Sequence, residues 1–217
     1  MPRYDAVLFD VDGTLIHSQP GIVKTFQQTF AAMGIDCAGV DLQRYLGPPL
    51  RWSFAQHFQD AETVEKAVAL YRVFYHREGM HNCTVFPGVE AMLRTLRDGG
   101  VLLGTATSKL ATTAQEILQE KGIASYFTIL GGSSLDKSVD TKTAVLQMDL
   151  ADARLAGKRV LMVGDRQDDL RGAADCGIPA AGVLYGYGSR AELEPWNPVC
   201  LAENCAELTR FILHCGN

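Results

Sequence analysis

No apolar stretch of this chain approaches the ~18–20 residues that cross a bilayer, and its 20 lysines and arginines nowhere gather into a basic run. The first absence argues against a membrane-spanning chain. The second disfavours a nucleic-acid-binding module, which would carry a positive footprint. Here 25 acidic residues give a net charge of −5 and a pI near 5.5. Repeats and low-complexity tracts are also lacking. The six cysteines, at 37, 83, 176, 200, 205 and 215, are irregularly spaced and form no C-x-x-C pair. Cys200, Cys205 and His214 match no zinc spacing, so reduced, mostly buried thiols are expected. Met1-Pro2-Arg3-Tyr4-Asp5 runs straight into a short apolar segment, without the long apolar region or cleavage site of a secretory signal. A cytoplasmic protein is therefore expected.

What is present is ordinary for a globular protein: 217 residues, 47% hydrophobic and 21% charged. That length allows one large domain, or a domain with a sizeable insert, and a core that needs no staple. Ala6-Val7-Leu8-Phe9 is a short unbroken apolar run followed by Asp10, Asp12 and Gly13. Such a run fits a strand buried on both faces, as in a parallel sheet covered by helices. Similar runs at 101–106, 159–163 and 180–184 end in Thr107-Ser108-Lys109, Gly164-Asp165 and Tyr185-Gly186, and a weaker one at 127–130 ends in Gly131-Gly132. Between them, Val89, Met92, Leu93 and Leu96 recur at helical spacing, as do Ala114, Ile117 and Leu118, then Ala144, Val145 and Met148. Gly99-Gly100, Gly122 and Gly177 stand where helices should end. Alternating strands and helices predict an α/β fold, doubly wound around a mostly parallel sheet.

Residues 16–84 break this rhythm. Ile22, Phe26, Phe30 and Met33 form one helical stripe, and Val64, Ala67, Val68 and Tyr71 another, with no convincing strand between them. A helical insert is predicted here, with the core formed by 1–15 and 85–217.

Polar residues follow the strands, where open α/β sheets bind ligands. Asp10-Val11-Asp12-Gly13-Thr14-Leu15 sends two carboxylates off one strand end, with Gly13 permitting a tight turn. One can attack while the other handles a proton. Thr107-Ser108 offers a hydroxyl and an N–H at a strand-to-helix junction, suited to a phosphate. Lys142 supplies a fixed cation, and Gly164-Asp165-Arg166-Gln167-Asp168-Asp169 an acidic cluster. Oxygen-rich carboxylate sites beside phosphate favour Mg²⁺. Each cluster alone has an ordinary structural explanation as a turn, a cap or a solvated lysine. All four in this order, each at an element's end, point to chemistry.

In this order the motifs resemble the four motifs of the haloacid dehalogenase superfamily. The resemblance covers the whole chain, since the insert lies where the family's helical C1 cap lies. It implies a Rossmann-like core and a phosphoaspartyl intermediate. By that likeness Asp10 is the nucleophile, and Asp12 protonates the leaving group and then activates water. Thr107, the N–H of Ser108 and Gly13 surround the phosphate, and Lys142 steadies the charge. Asp10, the carbonyl of Asp12 and Asp165 would hold Mg²⁺, with Asp169 supporting it directly or through water, Asp168 facing solvent and Arg166 supporting the acidic cluster. Asp12 favours phosphoryl transfer, because a departing alkoxide needs a proton and a halide does not. The likeness extends to phosphoglycolate phosphatase-like and 5′-nucleotidase-like members through Leu46-Gly47-Pro48-Pro49-Leu50, Phe86-Pro87-Gly88-Val89, Ser134-Leu135-Asp136 and the 182–188 segment.

The expected activity is Mg²⁺-dependent hydrolysis of a small phosphomonoester by a monomer or weak dimer, with no nucleic-acid or membrane partner. A β-phosphoglucomutase-like mutase and a non-catalytic phosphate- or nucleotide-binding regulator are the alternatives. Arg51 or Arg44 in the insert is expected to contact the leaving group. Hinges are expected near Leu15–Ser18 and Cys83–Gly88.

Overall fold

The computed structural model describes residues 2–136 and 138–214; Cys215 lies outside them. Six parallel strands form the main sheet: β1 (Ala6–Phe9), β4 (Leu102–Leu110), β5 (Ile129–Ser133), β6 (Val160–Gly164), β7 (Ala180–Val183) and β8 (Cys200–Ala202). Their order is β5-β4-β1-β6-β7-β8, so the chain builds outward from β1 on one side, then returns to build on the other. That reversal puts a crevice at the carboxyl ends of the central strands.

Alternation along the strands explains why both faces are dry. Val7, Phe9, Leu161 and Val163 join one apolar cluster, while Ala6, Leu8, Val160 and Met162 join another on the opposite face. The first face is covered by α4 (Val89–Asp98), α5 (Ala111–Glu120) and α9 (Cys205–Leu213). The second is covered by α6 (Lys142–Leu150), α7 (Gln167–Asp175) and the short α8 (Arg190–Leu193). Gly100, Gly122 and Gly177 adopt positive φ after α4, α5 and α7, the left-handed turn that ends a helix.

The predicted stripe on α6 is displaced. Met148 is 45% exposed, whereas Lys142, Val145, Leu146 and Asp149 are buried. The buried face therefore carries two ionisable groups at i and i+7, which apolar periodicity does not register.

The insert contains α1 (Gln19–Ala32), α2 (Leu50–Ala55) and α3 (Ala61–Arg77). Phe26 binds them together, its ring centroid 4.8 Å from Tyr71 and 5.2 Å from Phe54. At the ends of the insert, β2 (Ile16–His17) and β3 (Thr84–Val85) pair as a two-stranded antiparallel ribbon. Sequence reading placed no strand there, because two residues are too few to show a period. The Tyr187 hydroxyl accepts the Ser18 N–H at 2.7 Å and the Gln19 N–H at 2.9 Å, tying the start of α1 to the sheet domain.

Candidate active site

β1 ends at Asp10, whose N–H donates to the Val163 carbonyl at 2.8 Å and continues the ladder by one residue. The chain then turns tightly. Gly13 has φ +83°, and a Cβ there would fall 2.2 Å from an Asp165 oxygen. Only glycine allows this approach. The Gly13 N–H is used inside the turn, donating to the Ile16 carbonyl at 2.9 Å.

Lys142, at the first turn of α6, is buried between two carboxylates. Its Nζ lies 2.8 Å from Asp10 Oδ1 and 2.7 Å from Asp169 Oδ1, and donates to the Ala106 carbonyl at 2.7 Å. Burial opposes the charged ammonium, but Asp10 and Asp169 outweigh it and its pKa rises above the usual lysine range. Asp165 is fully buried, accepting from the Tyr187 N–H at 2.7 Å and from the Thr14 hydroxyl at 3.3 Å. Asp169 accepts the Arg166 N–H at 3.0 Å.

Asp10, Asp165 and Asp169 each offer an oxygen within 4.8 Å of the others. Burial, then the neighbouring carboxylates, push Asp165 well above the ordinary aspartate range and raise Asp169 as well. One ammonium cannot balance three carboxylates at this spacing. The surplus of buried negative oxygen fits a hard divalent cation such as Mg²⁺.

The Asp12 side chain stands apart from this cluster. Its Oδ2 lies 3.2 Å from Lys109 Nζ, while its Oδ1 is buried with no hydrogen-bond partner among the described residues. Lys109 also donates to the Tyr75 hydroxyl of α3 at 2.7 Å, linking the insert to the sheet domain through Asp12. Residues 12, 75 and 109 are too far apart in the chain for a local pattern to signal this link. Thr107 is buried near the end of β4, its hydroxyl accepting the Lys109 N–H at 3.2 Å, and the register of β4 against β5 shifts between Thr107 and Leu110.

Asp10, Asp12, Thr107, Ser108 and Lys109 share one cleft of about 370 Å³ with residues of α1, α2 and α3. Arg51 lines it too, but its guanidinium bonds Glu65 at 2.6 Å and Asp140 at 3.1 Å. Arg44 sits 5.5 Å over the Tyr45 ring. The Arg166 side chain pairs with Glu192 at 2.8 Å and donates to the Leu46 carbonyl of the insert; its backbone N–H donates to Asp169, and its positive charge favours ionised Asp165. Asp168 pairs with Arg171 at 2.7 Å on the outer side of α7. The described cysteines are all free thiols, and no helix is long and apolar enough to cross a membrane.

A parallel sheet with carboxylates after β1 and β6 and a lysine between them is the α/β arrangement of a haloacid dehalogenase-type fold. The model of the haloacid dehalogenase-like hydrolases matches residues 7–183, and the chain belongs to that family. It is 36% identical over 212 residues to a 5′-nucleotidase of Pseudomonas aeruginosa, covering 97% of this chain and 96% of the relative. It is 38% identical over 183 residues to the tyrosine-protein kinase PtkA of Mycobacterium tuberculosis, covering 84% of this chain but only 62% of the kinase's length. A crystal structure described as a predicted phosphatase from Clostridium acetobutylicum superposes with a TM-score of 0.87 at 34% identity, over 95% of this chain and 97% of that one.

Proposed function

We propose that the protein hydrolyses a small phosphomonoester through a phosphorylated Asp10. The observation that carries this reading is the arrangement around Asp10. One of its oxygens is held by buried Lys142, and Asp12, two residues on, lines the same cleft with an unpartnered oxygen. An Asp10 oxygen would attack phosphorus, forming the acyl–phosphate bond as the ester P–O bond breaks. Asp12 would give its proton to the departing alkoxide. It would then take one from a water that attacks phosphorus, releasing inorganic phosphate and restoring Asp10. Thr107 and Ser108 would hold the phosphoryl oxygens, and Lys142 would fix the Asp10 carboxylate and offset its charge against a negatively charged substrate.

Asp10, Asp165 and Asp169 would hold Mg²⁺, with the Asp12 carbonyl as the ligand expected from the family likeness. When bound, the ion supplies positive charge that offsets the repulsion between carboxylates and phosphate. Residues 16–84 would act as a cap over the cleft, moving about the β2–β3 ribbon and excluding bulk water.

The test is phosphate release from a panel of phosphoglycolate, nucleoside monophosphates, sugar phosphates and pyrophosphate, with Mg²⁺ or with EDTA. Release should require the metal and disappear in Asp10→Asn. The similarity to a tyrosine-protein kinase supports a second reading, phosphoryl transfer from ATP to tyrosine. Transfer of terminal-phosphate label to protein tyrosine, in place of free phosphate, would favour that reading.

A further inference from the structure

The cleft holds a second arginine that the reaction above does not use. Arg72 of α3 lines it together with Tyr71, Tyr75 and Arg51. Its Nε is buried and has no hydrogen-bond partner, and no carboxylate pairs with its guanidinium among the described residues. The acidic groups nearby are already engaged. Both Glu65 oxygens bond Arg51, at 2.6 and 3.3 Å, and both Asp140 oxygens bond Arg51 Nη1, at 3.1 and 3.3 Å. The hydrogen bonds of both carboxylates thus go to Arg51, and Arg72 feels them only through their charge, its Nε left without a hydrogen bond. Burial first, and then the like charge of Arg51, lower the Arg72 pKa against the pull of Asp140 and Glu65. A desolvated guanidinium N–H left unpaired is costly, and such groups in native proteins call for an explanation.

Its position supplies one. Tyr75 lies one turn further along α3 and accepts from Lys109, which pairs with Asp12. One turn of helix is about 5 Å. Arg72 and Tyr75 are thus neighbours on one face of α3, and Arg72 lines the same cleft as Asp12, the group that would protonate the leaving oxygen. A guanidinium there matches a planar or tetrahedral oxyanion.

We infer that Arg72 selects the substrate, its guanidinium receiving a second anionic group, carboxylate or phosphate, on the leaving-group side of a short phosphomonoester. This rests on the phosphomonoester reading, and the test separates the two. Phosphoglycolate carries a second anion as carboxylate and ethylene glycol bisphosphate carries it as phosphate. Hydroxyethyl phosphate is the uncharged reference for both.

In the wild type, kcat/KM for at least one charged ester should exceed that for the reference by roughly 10- to 100-fold, the range of a charge-assisted hydrogen bond. The charged ester with the larger ratio identifies which oxyanion is read. Arg72→Met should bring the ratio close to one, and Arg72→Lys should recover part of it. Using a ratio cancels losses of folded protein common to all esters. The same compounds titrated into Asp10→Asn report binding without turnover. Hydrolysis with a ratio near one in the wild type, or a ratio that survives Arg72→Met, overturns the assignment. Anion binding that depends on Arg72 without any hydrolysis would leave Arg72 standing and overturn the hydrolytic reading instead. Neither hydrolysis nor Arg72-dependent binding would overturn both.

Discussion

Replacing Asp149 by asparagine should remove a pH dependence that this protein carries in its sheet domain. Asp149 faces inward from α6 and is 3% exposed, with its Oδ2 buried and without a hydrogen-bond partner among the described residues. It presses against β5 so closely that a Cβ on Gly131 would lie 2.1 Å from that oxygen. Burial raises its pKa from 3.8 to about 7, against the pull of Lys142. The folded state thus keeps a proton that the unfolded chain releases. The stabilisation is full below pH 3.8, falls as pH rises and is gone above about pH 7.

At about 1.4 kcal/mol per pH unit, the whole interval amounts to about 4 kcal/mol, and the part between pH 5 and pH 8 to about 2.5 kcal/mol. Asparagine has the same shape and never ionises, although its amide adds a buried donor costing about 1 kcal/mol. Urea unfolding of both proteins across that range should therefore show the variant gaining on the wild type by about 2.5 kcal/mol as pH rises. Taking the difference cancels every other titrating group common to both. A difference that stays constant with pH would refute the reasoning.

Lys142→Met strands Asp10 and Asp169 without their cation, so unfolding free energy should drop by about 3–5 kcal/mol, and phosphate release should vanish. Urea curves should recover part of that loss when Mg²⁺ is added. Gly186→Ala puts a Cβ 2.3 Å from the Gly13 carbonyl oxygen and 2.4 Å from the Asp165 Cβ. Displacing Asp165 in this way should weaken apparent Mg²⁺ affinity by about 10- to 100-fold, read from the metal dependence of phosphate release. Tyr187→Phe deprives the Ser18 and Gln19 N–H groups of their acceptor. Thermal and urea unfolding should show a loss of about 1–3 kcal/mol.

The parts legible in the sequence were those fixed by local chemistry. Val7 and Phe9 face one apolar layer while Ala6 and Leu8 face the other, and that is why β1 reads as an unbroken apolar run. Each of the β1, β4 and β6 runs leads directly into one of the polar clusters, so their convergence could be anticipated. β8 was missed, because Cys200-Leu201-Ala202 at a sheet edge has no distinct pattern. The ribbon of β2 and β3 joins residues 16–17 to 84–85, and the Arg51–Asp140 pair spans 89 positions. Neither leaves a local trace. Arg72 follows Tyr71 on α3 as an ordinary charged residue beside an apolar stripe, and what sets it apart is that the hydrogen bonds of Glu65 and Asp140 go to Arg51. Asp149 was hidden in the same way, as one acidic residue within an apolar stretch of helix.

The most direct test of the central claim is acid-quench trapping of the enzyme during turnover of its best phosphomonoester, followed by mass mapping of the phosphorylated peptide. One phosphoryl group should appear on Asp10 and be absent from Asp10→Asn; with an aryl phosphate, whose leaving group needs no proton, it should accumulate in Asp12→Asn, where the water that removes it lacks a base. Continued turnover with no phosphoryl group on Asp10, or with the group on another residue, would contradict it.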